Sequence, residues 1–193
     1  KQIEELNVEI ETTGIITKEV QLNKVLDFPA IKGLTKSFID QNIGEIPVYG
    51  GRINEEPIGF IKDNLPNVKY FKDCLAWNRE GSVGYVFWHK DKFSTNDHHR
   101  PIHIKSIYEK FLDKNFLRFE LQKTIMKEGF VWSKTASKEK VEKLSIPIPI
   151  NSKGEFDLEA QKEIAEKYRK IEQIKKSISA ELDKIANIEI DYE

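Results

Sequence analysis

The chain has 193 residues, 39% hydrophobic and 33% charged, with 31 basic against 32 acidic side chains and a formal net charge of −1. That length holds one domain with a sizeable core plus an extension, and leaves little room for two full domains. No apolar run approaches the roughly 20 residues of a membrane helix, and the single Cys74 excludes an intramolecular disulfide and a cysteine zinc cluster.

The N-terminal "KQIEELNVEIETTG" has no basic-then-apolar signal pattern, so a cytoplasmic location is expected. The only methionine is Met126, so the chain is expected to be a processed or excised piece of something longer. Residues 1–155 read as mixed α/β, with β-rich runs bounded by Gly and Pro at 46–51, 58–61, 74–77 and 83–89. The stretch "SIYEKFLDKNFLRFELQKTIMKEG" predicts one amphipathic helix. It would place Ile107, Phe111, Phe116, Phe119, Gln122 and Met126 toward the core and end at Gly129 as its C′ glycine. In "LSIPIPI" (144–150), prolines at alternate positions forbid a helix interior and favour an edge strand.

After "NSKGEF", Asp157 is placed to cap a helix that runs without Gly or Pro from Leu158 to Ile188. Ile164, Ile171, Ile178 and Ile185 repeat at sevens, with Tyr168, Ile174, Leu182 and Ile188 in the intervening turns, which is the pattern of a coiled-coil seam. A helix of about 31 residues at ~1.5 Å each is a rod of roughly 46 Å. That is too long to bury its stripe on the preceding domain alone, so a second helix is expected, from another copy or another part of the polypeptide. We expect a globular domain at 1–155 and a pairing helix at 156–193. The charge divides similarly. Residues 155–193 carry 11 acidic and 7 basic groups, about −4, leaving +3 on the preceding 154. Such a balance permits a polyanionic partner without demanding one.

Residues 81–105, "GSVGYVFWHKDKFSTNDHHRPIHIK", hold all four histidines. A small metal-dependent enzyme would draw ligands from this His89–His103 cluster, with Asp97 beside His98, His99 and His103. The spacing H-H-x-x-H fits no recognised helical or strand ligand pattern, however, and Pro101 interrupts a helix. There is no G-x-S-x-G elbow, "GSVG" lacks both the dinucleotide and the P-loop spacing, and Cys74 sits in an apolar strand context where thiols are inert. An enzyme acting alone is the weaker reading, and a coiled-coil scaffold without nucleic acid is a third.

A binding module fits better, because four stretches concentrate the residue types that contact phosphates and base edges. Residues 30–38 offer Lys32, Thr35 and Lys36; 77–82 offer Asn78, Arg79 and Ser82; the histidine stretch offers Lys90, Lys92, Asn96, His98, His99 and Arg100; and 132–140 offer Ser133, Lys134, Thr135, Ser137 and Lys138. Arg52 completes the candidate set.

In this order, "IKGLTKSFIDQNIGEIPVYGG", "LAWNREGSVGYVFWHKDKFSTNDHH" and "WSKTASKEKVEKLSIPIPI … FDLEAQKEIAEKY", with Gln161 and Ile164 at the head of the helix, resemble the specificity (S) subunit of type I restriction-modification enzymes. The likeness covers roughly residues 25–190 and corresponds to one target-recognition domain plus one spacer helix. It implies an α/β (α+β) globular target-recognition domain followed by a long C-terminal coiled-coil helix. It also implies a non-catalytic reader of one half of a bipartite double-stranded DNA target. The implied coiled-coil interface is Ile164, Tyr168, Ile171, Ile174, Ile178, Leu182 and Ile185. The implied partners are methyltransferase (M) and restriction (R) subunits or domains, and a second S half or a homodimer. S-adenosylmethionine, ATP and Mg²⁺ would sit on those partners, with no cofactor and no metal on this chain and no membrane association. The usual family form has two recognition domains and two helices, so one of each implies a half-subunit or a fragment of a fused enzyme of the type IIB or IIG kind. The "GSVG" turn and "STNDH" corner would then be scaffold, with Lys90, His99 and Arg100 beside them touching DNA.

Overall fold

In the computed structural model, residues 14–130 and 135–186 are described. The elements run β1 (Thr17–Gln21), α1 (Leu22–Val25), β2 (Leu26–Asp27), α2 (Lys36–Gln41), β3 (Ile43–Tyr49), β4 (Gly59–Ile61), β5 (Cys74–Asn78), β6 (Val86–His89), β7 (Ser94–Thr95), β8 (His99–Ile104), α3 (Lys114–Lys127), α4 (Lys138–Val141), β9 (Ser145–Pro149) and α5 (Leu158–Ala186). A 3-10 turn at Ser106–Tyr108 precedes α3. Every β-rich run read from the sequence contains a strand.

Three small sheets carry these strands. β5 lies between β8 and β6 in an antiparallel sheet with β2 outside β8, and all five of its residues are buried. β3 pairs antiparallel with β4 and parallel with β7. The proline-bearing β9 pairs only with β1, Thr17 opposite Pro149, in a two-stranded ribbon whose outer edge tolerates missing N–H groups. The main core joins Trp77, Ile102, Phe116, Leu117, Leu121, Ile125, Ile146 and Ile148 to Ile164 and Ala165 of α5. Smaller clusters form around Ile39, Val48 and Ile61 and around Phe71, Cys74 and Phe93. No helix among the described residues is long and apolar enough to cross a membrane.

The single helix expected over 106–129 is a correction. Asp113 accepts the N–H of Phe116 at 2.8 Å and starts α3 at Lys114, which leaves Ile107 and Phe111 outside the helix, 69% and 51% exposed. Phe116 and Phe119 are buried as expected, together with Leu117, Glu120, Leu121 and Ile125, and Met126 turns outward. The expected end holds, with Gly129 at φ +61° and its N–H donating to Met126.

α5 opens as its sequence indicates, with the Asp157 carboxylate accepting the N–H of Ala160 at 3.0 Å. Its 29 residues span about 44 Å at ~1.5 Å each. Gln161 is fully buried and works as a bracket. Its Oε1 accepts the N–H of Asp113 and its Nε2 donates to the carbonyl of Phe111, both at 3.0 Å. Ile164 and Ala165 enter the core, Tyr168 stacks on Phe119 with ring centres 5.0 Å apart, and Glu172 pairs with Arg118 at 2.7 Å. Ile164 and Tyr168, assigned from the heptad to the pairing seam, therefore serve the chain's own domain, because α3 lies opposite them. Ile174, Ile178, Leu182 and Ile185 remain exposed.

Candidate nucleic-acid interface

Residues 30–36, 77–82, 95–100 and 135–138 are joined at the Asn78 end of β5, mainly through backbone groups. Leu34 donates to the Thr95 carbonyl at 3.1 Å and Gly33 to the Asp97 carboxylate at 3.2 Å, tying residues 30–36 to the β7–β8 corner. Arg79 donates to His98 at 2.8 Å and Ala136 to Arg79 at 3.3 Å, while the Trp77 indole donates to the Ala136 carbonyl at 2.9 Å. Ser82 donates to Gly51 at 3.0 Å and brings in the β3–β4 loop that carries Arg52. A Cβ at Gly51 would meet the Glu80 carbonyl oxygen, so these two loops pack backbone to backbone.

Beneath this surface runs a buried polar chain. The Asn78 amide nitrogen donates to the Arg52 carbonyl at 2.7 Å, so its Oδ1, 2.7 Å from His99 Nδ1, is the acceptor. His99 Nδ1 thus carries the proton, and Nε2, left as an acceptor, takes a hydrogen bond from His89 Nε2 at 2.9 Å. Tyr49 stacks over His89 with centroids 4.0 Å apart. Burial pushes His89 down to about 4, and burial followed by the neighbouring His89 pushes His99 well below the ordinary histidine value. Asn78 and His99, expected to touch DNA, are 0% and 1% exposed and cannot reach a duplex in this fold. They face each other across the β5–β8 pair, and their polarity is consumed inside it.

The remaining candidates divide into two groups. At the loop cluster, Lys32, Lys36, Arg52 and His98 are exposed, and Arg79, Arg100, Thr135 and Lys138 are half-buried. Lys36 pairs with Asp40, Arg52 with Glu56, and both Arg79 and His98 with Glu80. The exposed pairs of Lys36 and Arg52 are weak and exchange readily for a stronger anion. The Thr35 hydroxyl caps α2 by accepting from Phe38 at 3.2 Å, and the Thr135 carbonyl accepts from Lys140. Arg100 is the exception, since its Nε is buried with no partner among the described residues. Burial and then the charge of Arg79 lower its affinity for its own proton. In the second group, Lys92 pairs with Asp63 and lies over Tyr70, and Lys90 lies over Trp88 beside Lys114. Among the described residues, neither makes a hydrogen bond or ion pair within the loop cluster. Ser133 and Lys134 lie outside the described residues.

The histidines separate rather than converge. His98 pairs with Glu80, His89 and His99 bond each other, and His103 leans on Phe71 with ring centres 6.1 Å apart. Among the described residues no three His, Cys, Asp or Glu side chains gather as a metal-ligand group. Cys74 is buried, which pushes its thiol up to about 12 and keeps it protonated.

Residues 16–186 match the family model described as the type I restriction modification DNA specificity domain. The chain belongs to this family. It is 26% identical over 167 residues to a Mycoplasma pneumoniae protein named as a type I specificity subunit, covering 85% of this chain and 42% of that protein. A second M. pneumoniae protein of the same description is 28% identical over 95 residues, 48% of this chain and 38% of that one. The fold matches the crystal structure of the type I S subunit from M. genitalium with a TM-score of 0.61 at 19% identity, over 91% of this chain and 44% of that one. It also matches a chain from a structure addressing complex assembly and conformational transition in the type I R-M system, with a TM-score of 0.65 at 14% identity over 94% and 44%. The chain thus spans about two fifths of the length of the curated relatives it matches. The type I specificity fold is a mixed α+β domain ending in a long helix, as the resemblance implied.

Within this family fold, two features escaped the sequence reading. Gln161 was singled out only by position, and nothing in a sequence shows an amide bracketing two distant backbone groups. The internal chain Asn78–His99–His89 was hidden because its residue types are the same ones that mark an exposed contact surface.

Proposed function

We propose that this chain reads one part of a split double-stranded DNA target within a type I restriction-modification assembly and performs no catalysis itself. The observation that carries this is the joining of five loop segments into one face on which Arg79 and Arg100 lie half-buried beside each other and Lys32, Lys36 and Arg52 are exposed. Arginines at such a face suit phosphate oxygens, because guanidinium–phosphate hydrogen bonds are charge-assisted and form in forked geometry. Arg79 lies beside Arg100, and in this reading Lys32, Lys36 and Lys138 supply further backbone contacts, with Lys134 adjacent in the sequence and Lys90 and Lys92 at the periphery. In this assignment, the projecting half of α5 pairs with a second helix through Ile171, Ile174, Ile178, Leu182 and Ile185, from a second S half or another copy. Methyltransferase and restriction partners, in the cytoplasm, supply S-adenosylmethionine, ATP and Mg²⁺ chemistry.

The test is equilibrium binding of duplex DNA across a salt series. Wild-type affinity is expected to fall linearly in log–log form, and Arg100→Ala to weaken binding and reduce the slope by about one phosphate. Unchanged affinity and slope in Arg100→Ala would move the DNA face elsewhere.

A further inference from the structure

The β3–β4 loop differs from every other segment of the cluster. Residues 52–56, Arg-Ile-Asn-Glu-Glu, are all exposed, the longest such run among the described loops that converge there. The neck of the loop is fixed while its tip is free. Arg52 N–H donates to Gly50 at 2.9 Å, the Arg52 carbonyl is held by Asn78, the Gly51 carbonyl by Ser82, and Ile58 N–H returns to Val48 at 2.8 Å. Above that neck, the Arg52 guanidinium has only long contacts among the described residues, 3.4 Å to the Pro57 carbonyl and 3.8 Å to Glu56. Ile53 is 45% exposed with no apolar cluster to join.

The composition of this tip distinguishes two modes of contact. A loop that held phosphates would be poorly served by Glu55 and Glu56, which repel them. A loop inserted among base edges can use every residue: arginine donates to guanine, asparagine both donates to and accepts from adenine, carboxylates accept from the cytosine amine, and an aliphatic side chain meets the thymine methyl. The major groove, about 12 Å wide, admits a projecting loop.

We propose, building on the DNA-reading assignment above, that Arg52, Ile53 and Asn54 are the base-reading residues of this domain, and that Asn78, His99 and His89 are positioning residues that hold the loop's neck at a set height. The division of labour is that Arg100 and its neighbours grip the backbone, while the 52–56 tip chooses sequence.

The experiment is selection of bound duplexes from a random pool, using the assembled protein that carries this domain, with wild type, the double variant Arg52→Ala/Asn54→Ala, and Asn78→Asp. Asn78→Asp is isosteric and keeps the acceptor for His99 but turns an oxygen toward the Arg52 carbonyl. The double variant is expected to lose about tenfold or more in preference at one to three adjacent positions of the selected motif, with the other positions kept and the salt slope unchanged. Asn78→Asp is expected to blur the same positions, which a loss of stability alone would not single out. Because the double variant changes only exposed loop residues, it also decides the matter if Asn78→Asp fails to fold. A double-variant motif identical to wild type would overturn the proposal. So would a uniform loss of affinity with a shallower salt slope, which would make the loop a phosphate clamp. If wild type itself enriched no motif, the DNA-reading assignment would fall and this proposal with it.

Discussion

The two halves of α5 carry the same seven-residue repeat and have opposite fates. In the first, Gln161, Ile164 and Ala165 are 0%, 3% and 5% exposed against α3 and β9; in the second, Ile174, Ile178, Leu182 and Ile185 are 59%, 43%, 47% and 62% exposed. A heptad specifies which face of a helix is apolar. What covers that face depends on what stands opposite: the domain lies against the first half as far as the Arg118–Glu172 pair, and Ile174 and the later apolar positions stand exposed. The helix is therefore fixed to the domain at one end and leaves its apolar stripe exposed at the other.

Substitutions in the two halves should separate cleanly. Ile164→Ala should destabilise the domain by about 2–5 kcal/mol in chemical denaturation, the cost of a buried cavity. Ile178→Asp with Leu182→Asp should leave dilute-solution stability within roughly 0.5 kcal/mol but abolish helix pairing by sizing. If the second pair unfolds the domain, the two halves are not distinct. A smaller effect tests the fixed end. Gln161→Ala should cost about 1–3 kcal/mol by stranding the Asp113 N–H and the Phe111 carbonyl. A loss no larger than for an exposed glutamine would show that the bracket is not holding.

Acidity offers a milder contrast, because all four histidines lie in the domain and none in α5. Burial holds His89 and His99 neutral, so below about pH 6.5 the unfolded chain binds more protons than the fold. Domain stability should therefore fall as pH drops from about 6.5 toward 4, by up to ~1.4 kcal/mol per histidine per pH unit. Helix pairing should change little between pH 7 and 5. Urea midpoints and sizing at the two pH values check both, and a flat urea midpoint would remove the neutral-histidine network.

Local patterning was largely legible in the sequence. Alternation and turn residues marked β3 to β6, the spaced prolines marked β9 as a peripheral strand, and Asp157 and Gly129 marked helix ends. What escaped was non-local. The break before α3 turns on one aspartate side chain capturing Phe116, which competes with a continuous apolar period that read as helix. Among the candidate contacts, Arg79, Arg100, Arg52 and the 30–36 loop were brought together. Asn78 and His99 were misassigned to the surface because polar residues that satisfy one another inside a sheet look, one at a time, like residues waiting for a ligand.

The most direct measurement is selection of duplexes bound by the assembly that carries this domain. Two short motifs at a fixed separation are expected, one read by this domain and the distance set by the paired half of α5. A pool with no enriched sequence, or two motifs at freely varying separation, would contradict a reader held in place by its own helix.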